Sequence, residues 1–352
     1  MHARREIHEK EFGIASSSLN ILFTCAGRRV ALMESFRRAM VEMKISGRLL
    51  AADVSYASAA FHCADEGVLV PGVGTKEYVP ALLENCRRGK VGLLVPLTDL
   101  DLEYLADQAE AFRAVGSQVM VGSPEVVRMC RDKTLTEQFL ARIGLPRIRT
   151  LRLEEFRRRP FFPCFIKPVQ GSASVGTGVI DDPTELKAHL ATFGEAMLVQ
   201  EYVPGAEYTL DIYRGRDGAV RCVVPRQRLS IRAGEVEKGL TVKDSELEAA
   251  GLLLGQRLDG VWGVVNAQCR RPLGGQAHFF EINPRFGGGA PLAIAAGANL
   301  PRYVIEETLG LPVSAKLGQF EPNLLMLRYD QAVFVRPQSP SDLPGFDTPQ
   351  SR

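Results

Sequence analysis

The pattern of strand and helix signals changes once along this 352-residue chain, and that change limits its fold more than any other feature. Short apolar strands are predicted at Asn20 to Thr24, Arg48 to Asp53 and Val91 to Pro96. Helices are predicted between them, at Arg28 to Met40 and at Asp101 to Ala114. Alternation of this kind favours a parallel sheet flanked by helices, which is an α/β domain.

The second part of the chain has a different pattern. Ser123 and Pro124 are typical of a helix start, and a further helix is predicted from Asp132 to Ile143. Strands with glycine turns follow in the segments FFPCFIKPV, GTGVI, MLVQEYV, YTLDIYR and VRCVVPR. A helix over about Ser245 to Leu258 precedes a last hairpin and helix. These signals predict an α+β domain.

Four segments are therefore expected. They are a polar leader at residues 1–19, an α/β domain at 20–121, an α+β domain at 122–336 and a disordered tail at 337–352, which is rich in Pro, Ser and Asp.

Composition excludes several classes of function. The formal net charge of +2 comes from 43 basic and 41 acidic residues, so we expect no nucleic-acid partner. No apolar run is long enough for a membrane span, and the first twenty residues lack the apolar centre of a signal peptide. Seven scattered cysteines without a CxxC pair fit reduced thiols in a cytoplasmic protein.

The last hairpin carries polar side chains at alternate positions. Glu281 and Asn283 leave the same face of a strand, and Asn266 and Gln268 do so on the strand before. If glycines 274 and 275 form a two-residue loop, Gln268 faces Glu281 and Asn266 faces Asn283. Four polar side chains on one buried face would be costly without a ligand, whereas an exposed hairpin face is the alternative.

The chain after this strand adds a cation and a bare backbone. Pro284 ends the strand, Arg285 follows at once, and three glycines at 287–289 leave no bulk to keep a ligand away. Hard oxygen donors beside a cation and a glycine loop predict a metal and phosphate site.

A second candidate site is the segment FIKPVQGSASVGTGVI. Its strand places Lys167 before a loop of glycines and small hydroxyl residues at 171–178. Backbone N–H groups in such a loop can surround phosphate oxygens, and the lysine supplies a cation. The loop is not a Walker loop, because GxxxxGK[ST] is absent, and a flexible hairpin tip is the alternative.

The segment VQEYVPGAEYTLDIY is a third candidate. Glu201 ends a strand, Pro204 and Gly205 turn the chain, and Glu207 begins a face of alternating polar residues. Such a strand edge can bind an adenine through its backbone, and a nearby carboxylate can hold ribose hydroxyls. Any hairpin with a polar face would show the same features.

Taken in order and spacing, these motifs resemble the ATP-grasp superfamily, in particular the carbamoyl-phosphate synthase large-chain type and its short relatives, such as the ligase of pyrrolysine biosynthesis. The residues that carry the resemblance are Lys133, Lys167 with its glycine loop, Glu201, Glu207, Asn266, Gln268, Glu281, Asn283 and Arg285. It extends from about Ile21 to Gly310. It implies a Rossmann-like, pre-ATP-grasp domain at 20–121 and an ATP-grasp domain at 122–336, whose two α+β subdomains grip ATP.

The resemblance also implies roles for these residues. The nucleotide would be bound by Lys133, Lys167, Gly171, Ser172, Ala173, Ser174, Val175, Gly176, Glu201, Val203, Glu207 and Gln268. Glu201 and Val203 would meet the adenine, and Glu207 the ribose. Magnesium, or manganese in its place, would be bound by Glu281, Asn283 and Gln268. The catalytic residues would be Arg285, Lys167 and Asn283.

The implied reaction joins a small carboxylate to a small amine. ATP would turn the carboxylate into an acyl phosphate, and the amine would displace phosphate, giving an amide, ADP and phosphate. An ATP-binding sensor without turnover is the alternative. A nicotinamide oxidoreductase is disfavoured, because the first domain has no GxGxxG, although Asp53 ends its second strand. A homodimer is the default expectation for such an enzyme.

Two further pairs of residues are candidates for binding the substrate. Thr98 and Asp99 lie after the third predicted strand, where capping of the next helix is the alternative role. Arg228 and Arg232, in PRQRLSIRAGEVEKG, are candidate anion binders for a substrate carboxylate or a phosphate. A solvated strand with outward charges is the alternative there.

Overall fold

The computed structural model describes residues 18–169, 176–232 and 234–336 of the chain. Its first sheet consists of β1 (Asn20–Thr24), β2 (Leu49–Asp53), β3 (Glu66–Leu69), β4 (Val91–Pro96) and β5 (Gln118–Val119). The strand order is β3-β2-β1-β4-β5, and all neighbouring strands run parallel. The sheet predicted from the alternating pattern is therefore present, and it contains two strands, β3 and β5, that the sequence did not indicate.

Helices cover both faces of this sheet. They are α1 (Val30–Glu42), α2 (Ala59–Cys63), α3 (Tyr78–Arg88), α4 (Leu102–Asp107) and α5 (Ala109–Ala114). Phe23 packs edge-on against Phe36 of α1, whereas its neighbour Leu22 joins the cluster on the opposite face with Leu82 of α3. Burial of alternate residues on both faces explains why β1 is apolar throughout.

Two helices lead from the first sheet to the rest of the chain, namely α6 (Pro124–Arg131) and α7 (Lys133–Arg142). Their predicted starts are confirmed, because Ser123 and Asp132 accept hydrogen bonds from backbone N–H groups of the first turns. The single helix predicted from Asp101 to Ala114 is wrong. The backbone of Gln108 leaves the helical conformation (φ −114°, ψ 14°) and separates α4 from α5.

A small antiparallel sheet follows, and it is a structural unit of its own. Its elements are β6 (Thr150–Arg152), α8 (Leu153–Arg158), β7 (Cys164–Pro168), β8 (Gly178–Ile180), α9 (Pro183–Phe193) and β9 (Met197–Glu201). The strand order is β6-β9-β7-β8. Ile166, Val199 and Phe156 are at the centre of a core of its own.

The largest sheet has six antiparallel strands. The remaining elements are β10 (Ala206–Arg214), β11 (Val220–Arg232), β12 (Glu235–Thr241), α10 (Ser245–Arg257), β13 (Gly263–Arg271), β14 (His278–Asn283), α11 (Ala290–Ala295), α12 (Leu300–Thr308) and β15 (Leu325–Leu327). The order is β14-β13-β10-β11-β12-β15. Gly251 and Gly255 of α10 lie so close to the sheet that an added Cβ would be 2.6 and 2.7 Å from valine side chains. Those glycines let α10 cover one face.

The pairing of β13 with β14 brings the alternating polar residues opposite one another, as the sequence predicts. Asn266 pairs with Asn283, and Gln268 pairs with Glu281. The predicted Gly-Gly loop is wrong, because the turn is closed by a hydrogen bond from the Gly275 N–H to the Pro272 carbonyl. A register shift between Gln268 and the next residue restores the predicted pairing farther along the strands.

The ends of the chain were predicted to be a leader and a tail. Residues 1–17 and 337–352 lie outside the described part of the chain. Within the predicted leader, Leu19 is buried, and its N–H donates to the Ser46 carbonyl at 2.8 Å. Among the described helices, none has both the length and the apolarity needed to cross a membrane.

Candidate active site

A cavity of about 1250 Å³ lies between the four-stranded and six-stranded sheets and reaches the loop after β4. We call it the central cavity. It collects predicted residues from seven helices and strands and from three loops, and those residues are Thr98, Asp99, Lys133, Lys167, Glu201, Val203, Glu207, Arg228, Gln268, Glu281, Asn283 and Arg285. The fold therefore brings together side chains that are up to about 190 positions apart in the chain.

Several predicted residues are not among those that line this cavity. The guanidinium of Arg232 binds Asp330 at 2.6 and 2.8 Å, and its Nε lies 3.4 Å from Glu237. Gly176 has a φ of +70° and its carbonyl contacts His189, but it does not line the cavity. The predicted phosphate loop at 171–175 lies outside the described residues.

The strand end of β14 presents two oxygen donors side by side. The Asn283 Nδ2 group donates to Glu281 Oε1 at 2.9 Å, and Asn283 is only 6% exposed. Opposite them, the amide oxygen of Gln268 accepts from Arg228 at 3.1 Å. The amide oxygen of Asn283 accepts from Arg285 Nη2 at 3.4 Å. A metal could thus meet the second carboxylate oxygen of Glu281 directly, whereas Asn283 and Gln268 would have to exchange their guanidinium partners first.

This donor set fits magnesium. Mg²⁺ takes hard oxygen ligands and usually obtains the rest of its octahedron from substrate phosphates and water, so one carboxylate and one amide are sufficient protein ligands. The carboxylate of Glu281 and the amide oxygen of Asn283 belong to the same strand end and line the same cavity. The residues present therefore match the group that the sequence predicts.

Lys167 is a buried cation at the opposite wall, on β7. It is 8% exposed, and burial lowers the pKa of its ammonium to about 7, against an opposing effect of Glu281 and a further lowering by Lys133. Its Nζ lies 5.9 Å from the centre of the Phe280 ring. A lysine so poorly solvated would be stabilised in its charged form by a polyphosphate.

Arg285 reaches from the end of β14 to the first domain. Its Nε donates to Asp99 Oδ1 at 2.8 Å, its Nη2 donates to Asp99 Oδ2, and its Nη1 donates to the Phe286 carbonyl at 3.0 Å. Asp99 is therefore not the helix cap that was the alternative, and α4 has no side-chain cap. Thr98 accepts from the Leu100 N–H at 3.3 Å in a local turn. The Asp99 carboxylate fixes the position of the arginine.

Glu207, predicted to meet a ribose, is held by two cations. Its Oε1 accepts from Arg228 at 2.6 Å, and its Oε2 accepts from Arg270 at 3.0 Å. Each carboxylate oxygen keeps a further lone pair for a hydroxyl donor. Arg228 is shared between Glu207, Gln268 and the Gly234 carbonyl, so it is a less available anion binder than predicted.

A buried cluster, which we call the buried triad, borders the cavity, because two of its residues, Arg226 and Asn266, line it. Arg226, 1% exposed, donates to Asp211 at 2.6 and 3.1 Å, and Asn266 donates to the same carboxylate at 2.9 Å. The glycines at 287–289 are explained by such side chains. A Cβ at Gly287 would be 2.4 Å from Asn266, and one at Gly289 would be 2.3 Å from Arg226. They make room for the protein's own polar groups, and all three glycines also line the central cavity.

Arg29 and Glu235 are among the lining residues that the sequence analysis missed. Arg29 follows β1, and its Nη2 lies 3.1 Å from Glu235 at the start of β12. Burial lowers the pKa of Arg29, and the Glu235 carboxylate opposes that effect. A Cβ at Gly288 would be 2.5 Å from Arg29, so the glycine loop also packs on this side chain. In the sequence, two adjacent arginines at 28 and 29 are the one feature that marks this position, and they do not indicate which side chain enters the cavity.

Two protein-family models match the chain. Residues 21–120 match the model described as "PylC-like, N-terminal domain". Together with the fold and with the second match, it indicates an ATP-grasp domain that follows a PylC-like N-terminal domain. The second match is more particular: residues 193–331 match the model described as "ATP-grasp in the biosynthetic pathway with Ter operon". The predicted superfamily and fold class are thus confirmed.

Curated relatives of this chain include ligases. A D-alanine--D-alanine ligase of Thermotoga sp. (strain RQ2) is 28% identical over 222 residues, which are 55% of this chain and 63% of the relative. A 3-methyl-D-ornithine--L-lysine ligase of Methanosarcina mazei is 27% identical over 182 residues, or 51% of this chain and 44% of the relative. The chain spans less than two thirds of the length of either ligase.

Solved structures share the fold. The biotin carboxylase domain of the 2-oxoglutarate carboxylase of Hydrogenobacter thermophilus, solved as a dimer with MgADP, ADP and bicarbonate, has a TM-score of 0.68 at 16% identity, covering 87% of this chain and 73% of its own. The N5-carboxyaminoimidazole ribonucleotide synthetase of Thermus thermophilus has a TM-score of 0.66 at 19% identity, with coverages of 87% and 81%. At these identities the likeness establishes the fold alone.

Proposed function

We propose that the protein is an ATP- and magnesium-dependent ligase that joins a small carboxylate to a small amine, releasing ADP and phosphate. The observation that carries this proposal is the convergence of Lys167, Arg285 and the Glu281–Asn283 pair on one cavity between two sheets. Two cations facing a pair of oxygen ligands are suited to a transferring phosphoryl group. The ligases among the curated relatives support the same reaction class.

The nucleotide would lie across the central cavity. Lys133 and Lys167, with residues 171–176, would bind its phosphates, and the backbone from Glu201 to Val203 would meet the adenine. Glu207 would accept from the ribose hydroxyls while it keeps its arginine partners. Magnesium would be held by Glu281 and Asn283, with Gln268 as a further ligand once Arg228 releases it. The ion would neutralise the negative charge that develops on the phosphates.

The chemistry then has two steps. A carboxylate oxygen attacks the γ-phosphorus, the bond to the β-phosphate oxygen breaks, and an acyl phosphate and ADP form. The amine nitrogen next attacks the acyl carbon, phosphate leaves, and the nitrogen loses its extra proton to give the amide. Arg285, held by Asp99, would stabilise charge on the transferred phosphoryl group in both steps.

The test is release of ADP and phosphate from the purified protein with magnesium and ATP, supplied with pooled amino acids and small carboxylic acids. We expect release that requires a particular acid and amine, and a loss of roughly a hundredfold or more in the Glu281→Gln variant, because a metal ligand is removed. Glu110→Gln, on exposed α5, is the matched control and should be unchanged.

The absence of ADP release would favour a different function. Tight ATP binding without release under every pool would favour a nucleotide-binding sensor, the second candidate. Its supporting observation is that Arg285 and Gln268 are already bound by Asp99 and Arg228. A homodimer and a cytoplasmic location stay predictions.

A further inference from the structure

A second cavity opens in the first domain, and we call it the N-terminal pocket. Its volume is about 550 Å³, which is within the range of small-molecule sites. It lies at the carboxyl ends of β1, β2 and β4, where open α/β sheets bind ligands. Leu100, Glu103, Thr98 and Arg131 line both this pocket and the central cavity, so the two spaces adjoin.

The lining of the pocket is mainly apolar. Val70 and Val73 are part of it, and three apolar side chains there are unusually exposed: Val54 at 53%, Leu100 at 60% and Tyr104 at 41%. Exposed apolar side chains grouped around a cavity are typical of a ligand-binding groove. A ligand of this pocket should therefore carry a compact apolar body.

Two side chains of the pocket, Tyr78 and Cys25, contact each other. The Tyr78 hydroxyl donates to the buried carboxylate of Asp101 at 2.9 Å, and its oxygen lies 3.9 Å from the Cys25 Sγ. Burial raises the pKa of the Cys25 thiol to about 12, so this side chain adds no charge near neutral pH. Charged contacts to a ligand would therefore come from the other side chains of the lining.

Two carboxylates set the charge of the pocket. Asp53 accepts from the backbone N–H groups of Gly27 at 3.0 Å and Ser55 at 3.3 Å, which fixes its position at the end of β2 and leaves each oxygen a lone pair. Glu103 lies 3.7 Å from Arg131. One arginine faces two carboxylates, so the pocket attracts a cation and repels nucleotide phosphates and carboxylates.

We propose that the N-terminal pocket binds the amine substrate in its ammonium form, with the ammonium held by Asp53 and Glu103 and an apolar body among the valines, Leu100 and Tyr104. This inference rests on the proposed ligase activity and names the class of one substrate: an amine with a compact apolar side chain. Because the pocket adjoins the central cavity at Glu103, the substrate would enter the reaction from this side after its ammonium passes one proton to a carboxylate of the pocket, which frees the nitrogen lone pair for attack.

Binding to the nucleotide-free protein tests the pocket without turnover. The probes are phenethylamine, its neutral isostere 2-phenylethanol and the anion phenylacetate, each titrated calorimetrically. We expect phenethylamine to bind at least about tenfold more tightly than either other probe, since only it offers a charged donor to the carboxylates. Equal binding of the alcohol, or no binding of the amine, would overturn the proposal.

Two variants test whether phenethylamine binds in the N-terminal pocket. Glu103→Gln should weaken phenethylamine about threefold to tenfold, because the carboxylate is half exposed and partly screened. Val54→Phe, at an exposed position, should fill the pocket and remove binding without a cost in the core. Glu110→Gln on α5 is the matched control for charge and should bind as the wild type does. Unchanged binding in both pocket variants would place the amine elsewhere.

Steady-state kinetics test the amine site and the proposed ligase activity independently of each other. If the protein is a ligase and the pocket holds the amine, Glu103→Gln should raise the KM for the amine and leave the KM for ATP unchanged. Amine binding without any ADP release would count against the ligase and leave the site intact. ADP release with an unaltered amine KM in the variant would count against the site and leave the ligase intact.

Discussion

Two polar clusters lie on the same sheet, close together along paired strands, and they differ in how far their groups are satisfied. In the buried triad, both oxygens of Asp211 are bound by Arg226, and Asn266 adds a third donor. At the strand end, one oxygen of Glu281 accepts from the amide of Asn283, and the charge of Glu281 opposes the lowering of the Lys167 pKa. The Asp211 carboxylate is thus paired at both oxygens without a ligand, whereas the Glu281 carboxylate is paired at one.

That difference distinguishes a cluster that stabilises the fold from a cluster that is suited to bind a ligand. A buried charge pair with all its hydrogen bonds made has nothing to offer a ligand, and removal of one partner is expensive. A group of oxygens and cations that share a cavity without full pairing gains most from a bound metal and phosphate. The same alternating pattern in sequence therefore has a structural outcome at Asp211, whereas the proposed function gives it a functional outcome at Glu281.

The largest expected effect is on stability. Asp211→Asn should lower the free energy of unfolding by about 3 to 5 kcal/mol, because it leaves the Arg226 guanidinium buried without a counter-charge. Denaturant unfolding followed by circular dichroism measures it. Glu281→Gln makes the same chemical change on the neighbouring cluster and should leave stability nearly unchanged. Equal losses would show that both clusters are structural.

The next effect is on nucleotide binding. Lys167→Met should weaken binding of magnesium ATP by roughly ten to a hundredfold, since a charge-assisted contact to phosphate is lost. The same variant should not be less stable at pH 6, where the wild type carries a poorly solvated ammonium. Lys187→Met, exposed on α9, is the control. If nucleotide affinity survived in the Lys167 variant, the cavity would bind ATP in another way.

A smaller effect is the pH dependence of binding. The pKa of Lys167 is about 7 in the free protein, below its usual value, so the lysine is mainly neutral at pH 8. Phosphates favour its charged form, so nucleotide binding at pH 8 should take up close to one proton, and the affinity should fall as the pH rises above 7. Calorimetry in buffers of different ionisation enthalpy measures the uptake, which should vanish in Lys167→Met.

The lowered pKa of Lys167 also determines whether the stability of the protein rises or falls with pH. Between about pH 7 and the usual lysine pKa, the unfolded chain binds more protons than the folded protein does. The cost of burying Lys167 is therefore complete below pH 7 and is relieved as the pH rises. A Lys167→Met stability gain that shrinks from pH 6 to pH 9 would agree with this, and a gain that grows would contradict it.

The smallest expected effect concerns the two arginines of β11. Arg232→Ala should leave both the melting temperature and the nucleotide affinity unchanged, because its partners Asp330 and Glu237 lie outside the cavity. Arg228→Ala should alter the magnesium dependence of nucleotide binding, since it frees Gln268 and Glu207. Titrations of nucleotide at several magnesium concentrations compare the two variants. If only Arg232→Ala altered nucleotide binding, Arg232 rather than Arg228 would belong to the binding site.

Much of the fold could be read from the sequence where elements are long or strongly apolar. β1 and β4 have the predicted bounds, and α10 was misjudged by one residue at its end. The segment from residue 54 to residue 90 was not interpreted, although it contains α2, β3 and α3. α2 and β3 are five and four residues long, so neither is long enough to show a recognisable hydrophobic periodicity in the sequence.

The hairpin register shows how a correct prediction can rest on a wrong detail. The loop was placed one residue too late, and the register shift beyond Gln268 compensates for that error. The opposition of Gln268 and Glu281 was therefore predicted correctly. Bulges depend on how a strand twists against its neighbours, and no local signal in the sequence marks this one.

The sequence by itself determined which side chains share a strand face, because the two-residue period of an extended backbone is a local property. It thereby determined the Glu281–Asn283 pair and the position of Lys167 at a strand end. Only the tertiary structure decided which polar groups are already satisfied. The partner of Arg285 is Asp99, 186 positions earlier, and the partner of Arg29 is Glu235. Hydrogen bonds and charge pairs act over a few Å, so they depend on how distant segments pack rather than on spacing along the chain.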